Sequence, residues 1–404
     1  MSAEAELDIE SIAAGGDGVA RHDGLVVFVP RTAPGDRVRA VYSKNGRFAR
    51  GDARSISTAS PSRVEPPCHH YMKDRCGGCQ IQHMLYDAQL TAKSGIIHDA
   101  LTRIGRRTVN APLVTASPTQ WRYRRKLTLA MRHRNGRWIA GLHPYDDPEG
   151  VFALSDCPIT DDAVLAVWQS VMRASAHLPP VKRLRGAVRL TAGGASFVLE
   201  GGARWDTWPQ FLKAAASITS LWWVPEQRTR RELTRHEDRT GASFAQVNAG
   251  MASELHRRVI ARAMAHGPQV VVDAYAGTGA TAAGIAAHGV RVTAIESDTD
   301  ASRQCASVLP PPSRAVAGRV EDELASTLPA DVLILNPPRT GLDVSIPPMI
   351  ESASPPVLIY VSCNPATLAR DLTRLPGYRI AALEAFDMFP QTAHVETLCE
   401  LVAA

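Results

Sequence analysis

The carboxyl-terminal part of the chain alternates short apolar runs with helix-like stretches. The runs stand at residues 269–273, 291–296, 331–335, 357–361 and 397–402. Short apolar runs bounded by turn residues are typical of strands buried on both faces, and the alanine-rich stretch 280–288 between two of them predicts a helix. The alternation predicts an α/β domain with a doubly wound, Rossmann-like sheet.

The amino-terminal pattern is different, because short alternating strands are joined there by glycine and proline turns. The strand-like runs 25–30 and 34–42 are examples, and they predict a small β-barrel. OB-like barrels bind single-stranded nucleic acid through basic and aromatic side chains. The candidates for such contacts are Arg21, Phe28, Arg31, Lys44, Arg47 and Phe48. Each of them taken singly also fits a solvated or core position.

The middle of the chain predicts two helices among strands. Apolar residues recur with helical spacing between residues 87 and 106, and a second helix is predicted near 161–176 within the mixed-strand region 110–235. No apolar run reaches the roughly 18 residues needed to span a bilayer. The first ten residues are polar and acidic and form no hydrophobic leader. We therefore expect a monomeric, cytoplasmic protein without a membrane partner.

The formal net charge of +5 is unevenly distributed over the 404 residues. Residues 269–404 hold 8 Lys and Arg against 15 Asp and Glu, a net charge of −7, whereas residues 1–268 hold 37 against 25, a net charge of +12. The most basic stretch is 121–137, which has seven basic residues, no acidic residue and interleaved aromatic residues. A charge run is often only a solvated face, but this combination suits phosphate contact and base stacking. We therefore predict an RNA-binding surface there.

A glycine-rich turn, Ala274-Tyr-Ala-Gly-Thr-Gly279, follows the first predicted strand of the α/β domain. Gly277 and Gly279 let the backbone approach a ligand closely, and the helix that follows offers unpaired N–H groups. Glu296 ends the next strand 23 residues after Asp273, a spacing at which a carboxylate holds ribose hydroxyls. The pattern predicts a nucleoside-containing cofactor with Glu296 as its ribose ligand.

The motif Asn336-Pro-Pro-Arg339 follows the run 331–335. Its prolines end the strand and fix the backbone beside whatever Asn336 contacts, although a plain strand-ending turn has the same pattern. Asn-Pro-Pro also occurs in amino-group methyltransferases, where an aromatic residue follows and stacks on the target base. Arg339 at that position favours a different target chemistry.

Cys363 lies just after the run 357–361, where doubly wound sheets bind ligands at the carboxyl ends of their strands. Its thiolate is a candidate nucleophile, and a buried packing residue is the alternative. The tail 386–396 then precedes the last predicted strand. His394 and Glu396 alternate in this tail, so on a strand they would share one face.

These motifs together resemble the RNA uracil-5-methyltransferase family. The resemblance rests on residues 243–248, 273–279, 336–341, 362–365 and 386–396, and it spans nearly the whole chain. It implies a class I methyltransferase domain that uses S-adenosylmethionine. By resemblance, the residues that contact the methyl donor are Gln246, Tyr275, Glu296 and Asn336. Cys363 would be the nucleophile and Glu396 the base.

The form of the Asn336 motif bears on the substrate. Many family members have aspartate where this chain has Asn336, so a negative charge is absent at this position. The Asn-Pro-Pro-Arg form resembles members that act on 23S ribosomal RNA, and this resemblance implies 23S ribosomal RNA as the partner. Transfer RNA is the alternative substrate.

Four of the seven cysteines form a second constellation, Cys68, Cys76, Cys79 and Cys157. In a reducing cytosol, closely spaced cysteines favour metal ligation over disulfides. Their spacing alone leaves zinc, an iron–sulfur cluster and free structural thiols open. The resemblance implies a 4Fe-4S cluster, because family members carry one on a Cys-Gly-Gly-Cys pair with a distant fourth cysteine.

The resemblance also implies a multidomain α/β organisation. A TRAM-like OB barrel is expected at 1–58, a central α+β iron–sulfur and RNA-binding domain at 59–86 and 107–238, and the methyltransferase domain at 87–106 and 239–404. Two other functional classes stay open. An exocyclic-amine methyltransferase would need no thiol, and a noncatalytic RNA-binding protein would need no methyl donor.

Overall fold

The computed structural model describes residues 2–191, 193–226, 229–234 and 246–404. The chain divides into two compact units. The first comprises Met1–Val64, Gln80–Pro118 and Gly250–Ala404, and the second comprises Glu65–Cys79 and Thr119–Ala249. The second unit therefore draws on two segments that are separate in the sequence. Residues 80–86 and 107–118, which the sequence assigned to that domain, belong to the first unit, and so do the amino-terminal strands.

The strands are numbered in chain order. Those that precede residue 120 are β1 Ser2–Asp8, β2 Ser11–Ile12, β3 Gly18–His22, β4 Leu25–Val29, β5 Arg37–Asn45, β6 Phe48–Thr58 and β7 Val114–Thr115. The next group is β8 Lys126–Arg134, β9 Arg137–Leu142, β10 Phe152–Ala153, β11 Arg183–Thr191, β12 Gly194–Glu200, β13 Ser220–Val224 and β14 Arg231–Glu232. The last group is β15 Val270–Ala274, β16 Arg291–Glu296, β17 Arg314–Ala317, β18 Val332–Leu335, β19 Val357–Ser362, β20 Tyr378–Phe386 and β21 Glu396–Ala403.

The helices are numbered in the same way. They are α1 His69–Lys73, α2 Tyr86–Asp99, α3 Asp162–Arg173, α4 Trp208–Ala214, α5 Ala249–Met264, α6 Ala280–Ala286, α7 Thr299–Val308, α8 Val320–Thr327, α9 Ile346–Ala353 and α10 Pro365–Leu372. A π-helical turn, Ala100–Ile104, continues α2, and a short 3-10 helix spans Ser175–His177. In the part of the chain that the structure describes, no helix combines the length and apolar character that crossing a membrane requires.

An eight-stranded sheet forms the centre of the first unit, in the order β17-β16-β15-β18-β19-β21-β20-β7. The five neighbouring strands β17, β16, β15, β18 and β19 are parallel to one another. Strand β21 lies between β19 and β20 and is antiparallel to both. The predicted α/β sheet is thus confirmed. Chain order reverses between β15 and β18, and the carboxyl ends of the strands at such a switch point border the ligand crevice of a doubly wound sheet.

Two apolar clusters cover the two faces of this sheet. One includes Leu333, Leu358 and Leu368, and the other includes Val271, Ile359 and Leu398. Alternate residues of β18 and β19 point to opposite faces, so both faces of these strands are buried. This explains why their sequences are continuous apolar runs without polar alternation.

A six-stranded sheet in the order β1-β5-β6-β4-β3-β2 also belongs to the first unit. Alternate residues of its strands, among them Val27, Val38 and Ala40, form a small buried cluster. The predicted strands 25–30 and 34–42 correspond to β4 and β5, and the OB-like barrel stays an expectation.

The second unit has a seven-stranded sheet in the order β10-β9-β8-β11-β12-β13-β14. Helix α3 packs on it through Val164, Trp168 and Val171 and corresponds to the helix predicted near 161–176. The prediction of a single helix in this region is wrong, because α4 also forms. Pro209 at the start of α4 fits a first helical turn, since proline lacks only an N–H group that would be unpaired there.

Candidate active site

The glycine-rich turn after β15 has the backbone geometry of a ligand cradle. Tyr275, Gly277 and Gly279 all have positive φ angles, of 64°, 58° and 86°. A Cβ atom at Gly277 would meet no atom within 4 Å, so the backbone there borders open space. A Cβ atom at Gly279 would instead come within 2.6 Å of the Cys305 sulfur, so the turn packs against α7 at that point. Glycine is therefore required at the two positions for different reasons.

Glu296 at the carboxyl end of β16 holds this turn in place. Its Oε2 accepts a hydrogen bond of 2.8 Å from Gly277 N–H, and its Oε1 accepts one of 2.7 Å from Asp298 N–H. Carboxylate oxygens have further acceptor capacity, so a ribose hydroxyl has a place on the same side chain. The neighbouring Asp273 is buried, its Oδ2 has no partner among the described residues, and desolvation raises its pKa to about 7.

Asn336 follows β18 at the opposite side of the switch point. Its N–H donates to the Ala274 carbonyl at 3.3 Å, which joins the ends of β15 and β18 directly. The Gly277 turn, Glu296 and Asn336 thus lie at the carboxyl ends of the neighbouring parallel strands β15, β16 and β18. These residues fit a nucleoside-containing methyl donor, because they offer a carboxylate, an amide and an open backbone surface.

The loop after Asn336 is fastened by a buried carboxylate that sequence reasoning missed. Asp371 on α10 accepts hydrogen bonds of 2.8 Å from Leu342 N–H and from the Tyr360 hydroxyl. Arg370 bridges Asp371 and the Thr340 carbonyl, at 2.7 Å to each. The loop that follows Asn336 is therefore fixed to the helix that follows Cys363.

Cys363 and Glu396 come together through strand register. Strands β19 and β21 pair antiparallel, with Val361 opposite Leu398 and Ser362 opposite Thr397. Cys363 directly follows Ser362, and Glu396 directly precedes Thr397, so the last pair of the ladder brings the two residues next to each other. Cys363 is partly exposed, whereas Glu396 is 2% exposed.

Burial dominates the electrostatics of this pair. Desolvation raises the pKa of Glu396 from 4.5 to about 8, and its Oε2 has no hydrogen-bond partner among the described residues. Desolvation and the Glu396 charge both raise the pKa of Cys363. A buried carboxylate oxygen without a hydrogen-bond partner destabilises the folded state. Groups with shifted pKa values of this kind cluster at functional sites.

Arg339 is the cation of this site, and sequence reasoning gave it no role in the chemistry. Its side chain is exposed, and its charge lowers the pKa of both Cys363 and Glu396. Arg339 follows two prolines just after the end of β18, and β18 pairs with β19, which ends one residue before Cys363. This position in the sequence is the signal that would have identified it.

His394 does not share a strand face with Glu396, and that prediction is wrong. Strand β21 begins at Glu396, so His394 belongs to the preceding loop, where its side chain is exposed. The loop closes between Phe386 and Glu396, which are paired residues of β20 and β21.

The four predicted metal-ligating cysteines all lie in the second unit. Cys68, Cys76, Cys79 and Cys157 are each 7 or 8% exposed. Burial raises the pKa of Cys79, and the charges of the other three thiols raise it further, so the four groups are neighbours. Backbone N–H groups of His70 and Tyr71 bond to the Cys68 sulfur, and that of Gly78 lies 3.4 Å from the Cys76 sulfur.

This donor set fits a thiolate-ligated metal centre. Four buried thiolates repel one another unless a cation neutralises them, and N–H donors stabilise ligating sulfur. His70 braces the site: its Nδ1 lies 2.6 Å from Asp74 Oδ2, and its Nε2 accepts from Ser155 N–H at 3.1 Å. The helix that follows Cys68 is thereby tied to the segment that carries Cys157.

Gln246 lies in the second unit, partly buried, next to residues 235–245, which are outside the described part of the chain. Residues 243–245 of the motif that carries the family resemblance fall in that stretch. The contact of Gln246 with the methyl donor stays a prediction.

Comparisons with known proteins identify the family of this chain. A family model for tRNA (uracil-5-)-methyltransferase matches residues 318–403. An uncharacterized RNA methyltransferase of Protochlamydia amoebophila is 31% identical over 432 residues, which cover 98% of this chain and 97% of the relative. One of Gloeobacter violaceus is 33% identical over 442 residues, covering 98% and 95%.

Among solved structures, the tRNA (uracil-54, C5)-methyltransferase of Pyrococcus abyssi, in complex with S-adenosyl-L-homocysteine, superposes with a TM-score of 0.73. It is 22% identical and covers 98% of this chain and 99% of its own. The fold is therefore that of an S-adenosylmethionine-dependent methyltransferase. The chain belongs to the RNA uracil-5-methyltransferase family, and it is an enzyme of that class.

Proposed function

We propose that this enzyme methylates carbon 5 of a specific uridine in 23S ribosomal RNA through a covalent adduct between Cys363 and carbon 6 of the base. The observation that carries the proposal is the register of β19 and β21, which brings Cys363 and Glu396 side by side. They meet where β19 ends and β21 begins, at the edge of the sheet where the parallel strands end and which also bears the glycine turn and Asn336.

The chemistry requires a nucleophile before the methyl group can move. Carbon 5 of uracil is a poor nucleophile, and addition of the Cys363 thiolate to carbon 6 places the electron pair of the ring double bond on carbon 5 as an enolate. S-adenosylmethionine, when bound, supplies the electrophilic methyl group. Covalent catalysis of this kind divides one difficult step into easier ones.

Glu396 completes the cycle as a base. Its carboxylate takes the proton from the methylated carbon 5, the C–H electron pair re-forms the double bond between carbons 5 and 6, and the C6–S bond breaks to return the Cys363 thiolate. A base with a pKa near the working pH suits this transfer, and burial has raised the pKa of Glu396 to about 8. Arg339 stabilises the anionic forms of both groups, because its charge lowers both pKa values.

Each unit offers a surface for RNA on its own. In the first unit, Phe28 and Phe48 make an edge-to-face contact of 5.6 Å between ring centroids, beside the exposed Arg50. Aromatic rings flanked by cations suit stacking on unpaired bases, which supports a TRAM-like role for this sheet.

In the second unit, strand pairing puts Arg132 directly opposite Arg183 and Lys126 opposite Arg189. Arg183 also forms an ion pair of 3.2 Å with Glu149. The concentration of four basic side chains on these two strands supports phosphate contact. Only part of the basic run 121–137 is available for RNA. Arg122 bonds to Asp156 and to the Cys157 carbonyl, and Tyr123 is buried beside the cysteines.

For the cysteine site we propose a 4Fe-4S cluster held by Cys68, Cys76, Cys79 and Cys157. Its role is to shape the RNA-binding face of the second unit, since methyl transfer needs no redox step. The bracing of Cys157 by Arg122 supports this role, because it joins the basic run directly to the cysteine site.

Transfer RNA is the second candidate substrate. The family model that matches residues 318–403 is named for tRNA enzymes, which favours it. Mapping of 5-methyluridine by mass spectrometry in a deletion strain separates the candidates. Loss of the modification from 23S ribosomal RNA alone is expected, and loss from transfer RNA alone would replace our proposal with the alternative. An amine target predicts that a Cys363→Ala enzyme stays active.

A further inference from the structure

A buried ion pair in the first unit lies outside the proposed chemistry. Lys93 on α2 and Asp387 in the loop before β21 both have 0% exposed side chains, and Lys93 Nζ donates to Asp387 Oδ1. A lysine is almost never fully buried without a specific partner. None of the steps described above uses either residue.

This ion pair is the centre of a network that ties α2 to the loop 387–395. The Tyr86 hydroxyl donates to the second oxygen of Asp387 at 2.8 Å, and Lys93 Nζ also donates to the Phe389 carbonyl at 3.1 Å. The side chain of Gln89 donates to the Gln391 side chain at 2.9 Å and accepts from its N–H at 3.0 Å. Three residues on successive turns of α2 thus hold the loop, with Tyr86 and Lys93 both bonded to Asp387 and Gln89 bonded to Gln391.

The loop so held carries Glu396 at its end. Phe386 and Glu396 are paired residues of β20 and β21, so Asp387 is adjacent to the strand partner of Glu396. Asp387 N–H also donates to the Thr115 carbonyl at 2.9 Å, and Ser117 N–H donates to the Tyr86 hydroxyl at 2.8 Å. Residues near both ends of the segment 80–118 therefore meet close to Asp387, where the loop begins.

We propose that the Lys93–Asp387 pair is a positioning device for Glu396, which holds the carboxylate in line with carbon 5 of the adduct. The proposal rests on the proposed function, in which Glu396 is the base. It gives the segment 80–118 a task in the chemistry, although this segment precedes the methyltransferase strands by more than 150 residues in the chain. Buried ion pairs are seldom more stabilising than well-packed apolar residues, so stability alone does not explain the pair.

The test separates positioning from stability. In Lys93→Met/Asp387→Leu both charges are replaced by apolar side chains, and such a replacement keeps or raises the unfolding temperature. We expect the double variant to form the Cys363 adduct at nearly the wild-type rate and to resolve it roughly ten- to a hundredfold more slowly in single-turnover experiments. Resolution at the wild-type rate in a folded double variant would overturn the proposal.

Two further variants make the result specific. Arg103→Met removes the exposed Arg103–Asp99 pair of 3.4 Å in the same helical segment and is the matched control, with both rates unchanged. Should the double variant fail to fold, Tyr86→Phe removes the hydrogen bond to Asp387 together with the one that the hydroxyl accepts from Ser117 N–H, and slower resolution without slower adduct formation is still expected. Equal slowing of both rates in Tyr86→Phe would then reject the positioning role.

A third comparison distinguishes this proposal from the assignment of the base. Adding Lys93→Met/Asp387→Leu to Glu396→Gln should slow resolution no further, because no carboxylate remains to be positioned. Additive slowing would mean that the pair acts by another route. A Glu396→Gln enzyme that resolves its adduct normally would instead refute the assignment of the base.

Discussion

Cys363 and Glu396 lie across from each other where β19 and β21 end and begin, since Ser362 pairs with Thr397 one step earlier in the register. Strand β19 runs toward Cys363 and β21 runs away from Glu396, because the two strands are antiparallel. The last pair of their ladder lies directly next to both residues in the chain.

The reactivity of Cys363 depends on Arg339. Because the cation lowers the pKa of the thiol, Arg339→Leu should shift the pH profile of Cys363 alkylation by iodoacetamide upward by about one pH unit. Arg339→Lys retains the charge and should show a smaller shift. Peptide mass spectrometry of the Cys363 peptide measures the profile without RNA. An unchanged profile in Arg339→Leu would show that the guanidinium does not stabilise the thiolate.

The burial of Glu396 predicts a pH-dependent stability. Its folded-state pKa of about 8 exceeds its ordinary value of 4.5, so the native state holds a proton that the unfolded state has lost between these pH values. The free energy of unfolding contributed by this group falls as pH rises from 4.5 to 8.

Glu396→Gln cannot ionise and should therefore gain stability over the wild type as pH rises, by up to about 5 kcal/mol above pH 8 and little at pH 5. Thermal unfolding at both pH values measures this, with the exposed Glu4→Gln as a control. An equal difference at the two pH values would contradict the raised pKa.

The glycine turn makes a prediction about methyl-donor binding. Gly279→Ala places a Cβ atom within 2.6 Å of the Cys305 sulfur at a φ of 86°, so the turn must shift. We expect affinity for S-adenosylhomocysteine to fall by roughly tenfold or more in calorimetry. Gly289→Ala has a similar φ of 81° and open space, so it controls for strain alone. Partial recovery in Gly279→Ala/Cys305→Ala is expected, and unaltered affinity in Gly279→Ala would argue against a donor site at this turn.

The cysteine site of the second unit predicts a metal content. Protein purified without oxygen should be brown and hold roughly four iron atoms per chain, and Cys76→Ser should lose most of them. Cys399→Ala alters a buried cysteine of the first unit and should leave the iron content unchanged. Stoichiometric zinc without iron in the wild-type protein would contradict the proposed cluster.

Local sequence signals predicted the strands and turns that carry the site, because each candidate site residue lies at the end of an apolar run or in a glycine turn. Glu296 and Cys363 were placed at strand ends in this way, and the structure has them there. The insertion of β21 between β19 and β20 had no local signal, since pairing of strands separated in sequence depends on the whole sheet.

The same limit explains the residues that were missed. Asp371 and Lys93 look like ordinary helix-surface residues in the sequence, and only tertiary packing buries them. The position of His394 was predicted wrongly because the alternating strand pattern was extended backward from Glu396 into a loop. The backbone of that loop turns at Gln391, which has a φ of 72°.

The central claim is the temporary bond between the Cys363 sulfur and carbon 6 of a uridine. The most direct measurement is mass spectrometry of Glu396→Gln enzyme after incubation with substrate RNA and S-adenosylmethionine, followed by nuclease and protease digestion. We predict a methylated uridine nucleotide attached to the peptide that contains Cys363, and no such product when Cys363→Ala is added. A Cys363→Ala enzyme that still forms 5-methyluridine at the wild-type rate would contradict the account.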